Sequence, residues 1–322
     1  MLNHSRSIIG AVAAAAMVAM AGPATAETKL TIMVFQGMQN LPLFAAQHQG
    51  LFAKRDLVVD VKIAPTSEEL RNGLAEGRYQ LVHAAIDNAV AMADVAQVDI
   101  AVFIGGDNSM NHLFVQPEIK SLAEIRGKTV LVDAPNTAYA FQLYEMLRQN
   151  GLNKGDYSIG EAGATFKRLD GMQKDKSAAA AMLNPPFSLR AEKAGLKDMG
   201  TAAKALGAYQ GTSGFVLRSW AKANEDTLVK YIGAYIEGLR WALDPANKAE
   251  AVKLYVDGLK VPEDIALGCY DAAMEGLAKD ARLDLEGFKN VLALRARFEG
   301  GTPAAPEKYL DVSYYQKAIA GL

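Results

Sequence analysis

Cysteine is almost absent from this chain: Cys269 is the only one. A lone thiol forms no internal disulfide, so stability has to come from a buried apolar core. Its neighbours Ile265, Leu267, Tyr270 and Ala273 follow a helical apolar pattern, which makes Cys269 a small core residue. Histidine is scarce too, limited to His4, His48, His83 and His112, with no metal-ligand spacing among them. Neither sign of charge dominates: 34 basic residues face 36 acidic ones, and no basic stripe marks a nucleic-acid partner. Catalytic signatures are missing as well, with no G-x-S-x-G elbow, phosphate-binding G-x-x-x-x-G-K, G-x-G-x-x-G or H-E-x-x-H. A binding protein without metal or cofactor is therefore expected, and not an enzyme.

Long apolar runs occur once, at the N-terminus. His4 and Arg6 precede an apolar stretch over residues 8–21, and Ala24-Thr25-Ala26 forms an A-x-A cleavage site. The stretch is shorter than the roughly 20 residues of a bilayer crossing, so residues 1–26 are read as a cleaved signal peptide. Cleavage is expected between Ala26 and Glu27, which places the remainder in a bacterial periplasm.

What is present is an alternation of strand and helix patterns. Apolar strands are expected at 30–34, 58–63, 81–84, 100–104, 113–115, 129–132, 178–183 and 215–217. Leu41-Pro42 opens a helix that carries His48 on its apolar face, and Thr66-Ser67-Glu68-Glu69 caps the helix of Leu70 and Leu74. Asn136 or Asp133 caps the helix after the strand at 129–132, with Pro135 at its start and Asn150-Gly151 at its end. From Ser219 onward the chain reads almost entirely as helix, over 228–243, 249–259, 265–277 and 284–298. Repeated β-α-β units imply an α/β fold with mainly parallel sheets flanked by helices and right-handed crossovers.

Ligands of open α/β sheets sit beyond the C-terminal ends of strands. Those ends are the segments 35–40, 65–67, 83–88, 133–137 and 184–187. They supply Phe35, Gln36, Met38, Asn40, Thr66, Ser67, His83, Asp87, Asn88, Asp133, Asn136, Thr137, Asn184 and Phe187, with Tyr139 two residues beyond the fourth and Thr212 opening a late strand. Aromatic rings stack on planar ligands while amides and hydroxyls orient them. No Lys or Arg occurs in these five segments. Asn184-Pro185-Pro186-Phe187 reads as a stiff extended wall presenting Asn184 and Phe187.

Leu41-Pro42-Leu43-Phe44-Ala45-Ala46 with Gly50-Leu51-Phe52, the segment 74–81, Gly127-Lys128-Thr129-Val130 and Ala194-Gly195-Leu196 recur in a familiar order. Together with 133–139 and 184–187, the chain over 30–217 resembles the periplasmic substrate-binding proteins of ABC transporters. The branch is that of nitrate, sulfonate and taurine binders, related to thiamine-pyrimidine-precursor binders. The resemblance implies a type II two-lobe protein, with one lobe of 27–116 plus 211–322, the other of 117–210, and hinges near 112–118 and 211–217. It implies a small-molecule ligand held by domain closure and delivered to an inner-membrane permease, by a monomer. The aromatics and amides favour a planar, pyrimidine-like ligand. A sulfonate or nitrate anion on helix N-termini at Asn40, Ser67 and Asn136 is the other option, opposed by Asp87 and Asp133. A periplasmic sensor subunit would use the same clam-shell. The yeast-type thiamine pyrimidine synthase shares this fold, but its cysteine-rich segment and active-site histidine are not matched by a chain with one cysteine and a secretory signal.

Overall fold

The computed structural model describes residues 27–108 and 111–322, so the signal peptide read at 1–26 lies outside the described residues. The first run is β1 (Thr28–Val34), α1 (Leu41–His48), β2 (Leu57–Ile63), α2 (Ser67–Ala75), β3 (Leu81–Ala85), α3 (Ile86–Asp94) and β4 (Ile100–Gly105). The second is β5 (His112–Val115), β6 (Thr129–Val132), α4 (Ala138–Gln149), β7 (Ser158–Glu161), α5 (Thr165–Lys174), β8 (Ala178–Leu183), α6 (Phe187–Lys193), β9 (Lys197–Thr201) and α7 (Ala202–Leu206). The chain then returns through β10 (Thr212–Leu217) into α8 (Arg218–Ala223), α9 (Glu225–Leu243), α10 (Lys248–Leu259), α11 (Glu263–Gly276), α12 (Leu285–Glu299) and α13 (Ser313–Ala320).

Two five-stranded sheets result, ordered β2-β1-β3-β10-β4 and β7-β6-β8-β5-β9. In the first, β1 pairs parallel with β2 and β3, and only β10 runs against its neighbours β3 and β4. The second repeats the plan: β6 is parallel to β7 and β8, and β5 opposes β8 and β9. Four parallel strands with one antiparallel insert make each sheet the α/β layer the alternation implied. The chain changes sheet after Gly105 and again before Thr212.

β5 corrects one expectation. The sequence reading put 112–116 with the first lobe, but His112–Val115 pairs with Leu183–Ala180 of β8 in the second sheet. An apolar run identifies a strand and says nothing of its partner. Two strands carry no signal in the sequence: β7 (Ser-Ile-Gly-Glu) and β9 (Lys-Asp-Met-Gly-Thr) are polar edge strands with exposed residues and no apolar alternation. Capping departs in one place. Thr66 caps α2 as expected, accepting from Glu69 N at 3.1 Å, but α4 is capped by Thr137, which accepts from Ala140 N. Asn136 lies exposed in the preceding turn.

The largest apolar clusters lie on the two faces of the first sheet, and one of them continues beneath α4 of the second. Cys269 is fully buried, and burial pushes its thiol up to about 12, so it stays protonated. His48 differs from its expected place: its side chain is 42% exposed and pairs with Glu250 at 2.5 Å rather than packing inward. Among the described residues, no helix is long and apolar enough to cross a membrane.

Candidate functional site

Strand ends of both sheets meet between the lobes, and three sets of contacts join them. On one side, Ser67 Oγ of α2 donates to Asp133 Oδ2 at the end of β6, at 2.9 Å. Thr137 Oγ1 donates to the other carboxylate oxygen, Oδ1. On the opposite side, Met38 N donates to the Pro185 carbonyl at 3.0 Å, and Lys193 of α6 pairs with Asp264 of α11. At the back, α12 reaches from the C-terminal tail onto α4: Arg297 lies 3.5 Å from Glu145, and Phe298 stacks on Phe141 with centroids 5.9 Å apart.

Asn184 is the hub on the second lobe. Its Oδ1 accepts from Thr165 Oγ1 at 2.8 Å and from the Tyr139 hydroxyl at 3.4 Å, and its Nδ2 donates to the Pro185 carbonyl at 3.2 Å. The first lobe comes close to it through Gly37. A Cβ there would sit 2.6 Å from Asn184 Nδ2 and 2.1 Å from Gln39 Oε1, so a side chain at 37 would displace these two amides. Burial pushes the Tyr139 hydroxyl up to about 12 against the pull of Arg168, so the group serves as a neutral donor.

Three guanidinium groups enter this region from helices, although the strand-end segments contain none. Arg168 of α5 is 1% exposed. It donates to Met182 O at 3.2 Å, Gly163 O at 2.7 Å and Thr165 Oγ1 at 2.9 Å, and lies 4.4 Å from the Tyr139 ring centroid. Arg71 of α2 donates to Asn88 Oδ1 at 3.0 Å. Arg295 of α12 bonds Asp87 Oδ1 and Glu299 Oε2, each at 2.6 Å, and its Nη1 lies 3.5 Å from Asn136 O. Burial pushes the Asp87 carboxyl above its ordinary range even against Arg295. Burial also opposes the Arg295 charge, but Asp87 and Glu299 more than offset it.

The structure thus brings together Ser67, Asp133, Thr137, Tyr139 and Asn184, and adjoins them to Asp87 and Asn88 through arginines. Thr212 serves the crossover, its Oγ1 accepting from Asp107 N at 2.8 Å. Gln36 Nε2 bonds Leu259 O and Asn40 Nδ2 bonds Phe35 O, which ties the first loop to its own lobe, while Met38 accepts from Tyr255 through its carbonyl and reaches Pro185 of the other lobe through its N–H. Phe35 packs against the core and Thr66 is a helix cap. Phe187 is buried with Phe114, Leu183 and Ala191. The wall is not extended either, because Pro186 is the N-cap of α6 with φ −83° and ψ −6°. His83 sits inside an aromatic cluster, stacked on Tyr235 at 4.9 Å and bonded through Nε2 to Tyr231 OH at 2.7 Å. Burial pushes it down to about 3, so it is uncharged. One signal could have exposed Arg168: it shares a helix face with Leu169 and Met172, and a cation at an apolar position is unusual.

A family model described as NMT1/THI5 like matches residues 38–249. No curated protein matches the chain. Among solved structures, the periplasmic nitrate-binding protein NrtA from Synechocystis PCC 6803 is similar with a TM-score of 0.77 and 13% identity, over 92% of this chain and 89% of that one. The alkanesulfonate-binding protein SsuA from Xanthomonas axonopodis pv. citri, bound to MOPS, gives 0.72 and 14%, over 90% and 99%. A desulfurization enzyme, DSZB, gives 0.67 and 13%, over 90% and 99%. At these identities the likeness is one of fold.

Proposed function

The chain belongs to the NMT1/THI5-like family, and from that premise we propose that it is the periplasmic solute-binding subunit of an ABC importer. It captures a small organic molecule between its lobes and hands it to an inner-membrane permease, without catalysing a reaction. The observation that carries this reading is the junction itself: hydrogen bonds cross between the lobes on both sides of a polar, aromatic cluster at the strand ends. Such contacts form only when the lobes are together, so a solute touching both would favour the closed state by its differential affinity. Solved structures of the same fold named for nitrate and alkanesulfonate binding support the transport role.

The lobes are taken as the two sheets with their helices, the tail belonging to the first, and the hinge as the stretches 106–108 and 211–212. These segments bond to each other, with Thr212 N donating to Asp107 O at 2.9 Å. Tyr139 and the amide of Asn184 suit a planar polar solute, with a pyrimidine-like ring as the leading class. Among the described residues, no group of three His, Cys, Asp or Glu is placed to hold a metal. Native mass spectrometry of protein purified after periplasmic expression tests the reading. A one-to-one small-molecule adduct released on denaturation is expected; an empty protein that no panel of periplasmic solutes stabilises would overturn it.

A further inference from the structure

Asp133 stands where opposite lobes converge. Its Oδ2 accepts from Ser67 Oγ across the junction at 2.9 Å, and its Oδ1 accepts from Thr137 Oγ1, the cap of α4. Its charge reaches an arginine on each side, the buried Arg168 and the half-buried Arg71. Arg168 of the second lobe bonds only carbonyls and a hydroxyl, and Arg71 of the first bonds only the Asn88 amide. Among the described residues, neither has a carboxylate oxygen within ion-pair distance. Burial works against both guanidinium charges. Asp133 is the foremost charge supporting Arg168, and it follows Asp87 in supporting Arg71. Asp87 is itself bonded to Arg295, which leaves Asp133 as the carboxylate shared by both sides.

We propose that Asp133 is the site's own anion: a tethered carboxylate that takes the place an anionic ligand would need, so that the cleft selects solutes without net negative charge. The inference rests on the solute-binding reading and adds the ligand's charge class to it. Hydroxyl donors from two lobes, with one arginine beyond each, form an anion receptor. Here the receptor is already filled by a side chain of the chain itself. A second anion brought to about 5 Å from Asp133 would lose affinity on the order of a hundredfold to like-charge repulsion at the effective dielectric of a protein site. A neutral ring meets no such term and can still use Tyr139 and Asn184.

The test empties the receptor. Asp133→Ala should melt below the wild-type protein, and acetate or nitrate at about ten times its dissociation constant should raise the variant's Tm by roughly 3 °C. The wild-type protein and Asp133→Asn, whose amide fills the same space without charge, should not respond to either anion beyond their response to ionic strength. A folded Asp133→Ala that responds to acetate and nitrate no more than the wild type does would overturn the proposal. The wild-type protein supplies an independent arm: calorimetric titration with nitrate or ethanesulfonate should show no saturable binding. One-to-one binding there would overturn the built-in anion while upholding the solute-binding reading. Anion rescue of Asp133→Ala in a protein that binds no solute would do the reverse.

Discussion

His83 should make the first lobe acid-sensitive in a way that one substitution removes. The imidazole is buried in the middle of β3, bonded to Tyr231 and stacked on Tyr235, and burial pushes its pKa down to about 3 from an ordinary 6.5. The folded state therefore keeps it neutral, whereas the unfolded chain takes up a proton below pH 6.5. The proton is bound by the unfolded state, so stability is intact above pH 6.5 and falls as pH drops from 6.5 towards 3. Each pH unit inside that window costs about 1.4 kcal/mol. Between pH 7 and pH 4.5 the loss comes to about 2.5 kcal/mol, and it is insensitive to the lower pKa as long as that stays well under 4.5. His83→Gln keeps a polar group beside Tyr231 but has nothing to titrate. Both tryptophans, Trp220 and Trp241, pack in the same apolar cluster of the first lobe, so their fluorescence follows the unfolding of the lobe that holds His83. Urea midpoints at pH 7 and 4.5 for the two proteins give the double difference. Parallel pH profiles for wild type and variant would refute the reasoning, because they would mean that His83 titrates alike in both states.

Other consequences are smaller in scope. Gly238 lies where α9 crosses α1, and a Cβ there would meet Pro42 O at 2.6 Å and Ala46 N at 2.8 Å. Gly238→Ala must push two backbones apart and should cost roughly 1–3 kcal/mol in thermal unfolding. Gly233→Ala, whose Cβ would have no neighbour closer than 3.5 Å, should instead be neutral or slightly stabilising. Asp87→Ala leaves a buried guanidinium short of its fully buried partner and should destabilise by about 3 kcal/mol in denaturant titration. Lys193→Ala also removes a bridge between lobes, but both side chains there are more than half exposed, so its Tm should match the wild type within the equivalent of about 1 kcal/mol.

Legibility followed burial. Strands such as Ala178–Leu183, buried at every position, stand out as apolar runs with abrupt ends, and the α/β alternation could be read from them. Edge strands β7 and β9 had no such signal, because an edge faces water and carries the Lys, Asp and Glu that suit it. At the site, Ser67, Asp133, Thr137, Tyr139 and Asn184 were legible because strand ends of an α/β sheet gather by topology. Arg71, Arg168 and Arg295 were not, since each sits a turn or more inside a helix and reaches the junction by its long side chain. These arginines change the electrostatics: in sequence Asp87 and Asp133 form a bare acidic edge, whereas in the fold Asp87 is bonded to a cation and Asp133 lies in the field of two.

The same arginines bear on how the lobes would separate. Helix α12 holds the first lobe through Arg295 and Asp87, and the second through Phe298 on Phe141, Arg297 near Glu145 and a 3.5 Å contact of Arg295 with Asn136 O. Opening a cleft between the lobes has to break one of these attachments. Parting a buried ion pair strands a charge at a cost of about 3–5 kcal/mol. An aromatic stack is worth about 0.5–1.5 kcal/mol beyond its area, and a long contact from the half-exposed Arg297 to a Glu145 already bonded to Arg148 about 1 or less. The second set is the weaker, so on opening α12 is expected to stay with the first lobe and the Phe298–Phe141 contact to part; a Phe298→Ala variant that opened no more readily in small-angle scattering would refute this.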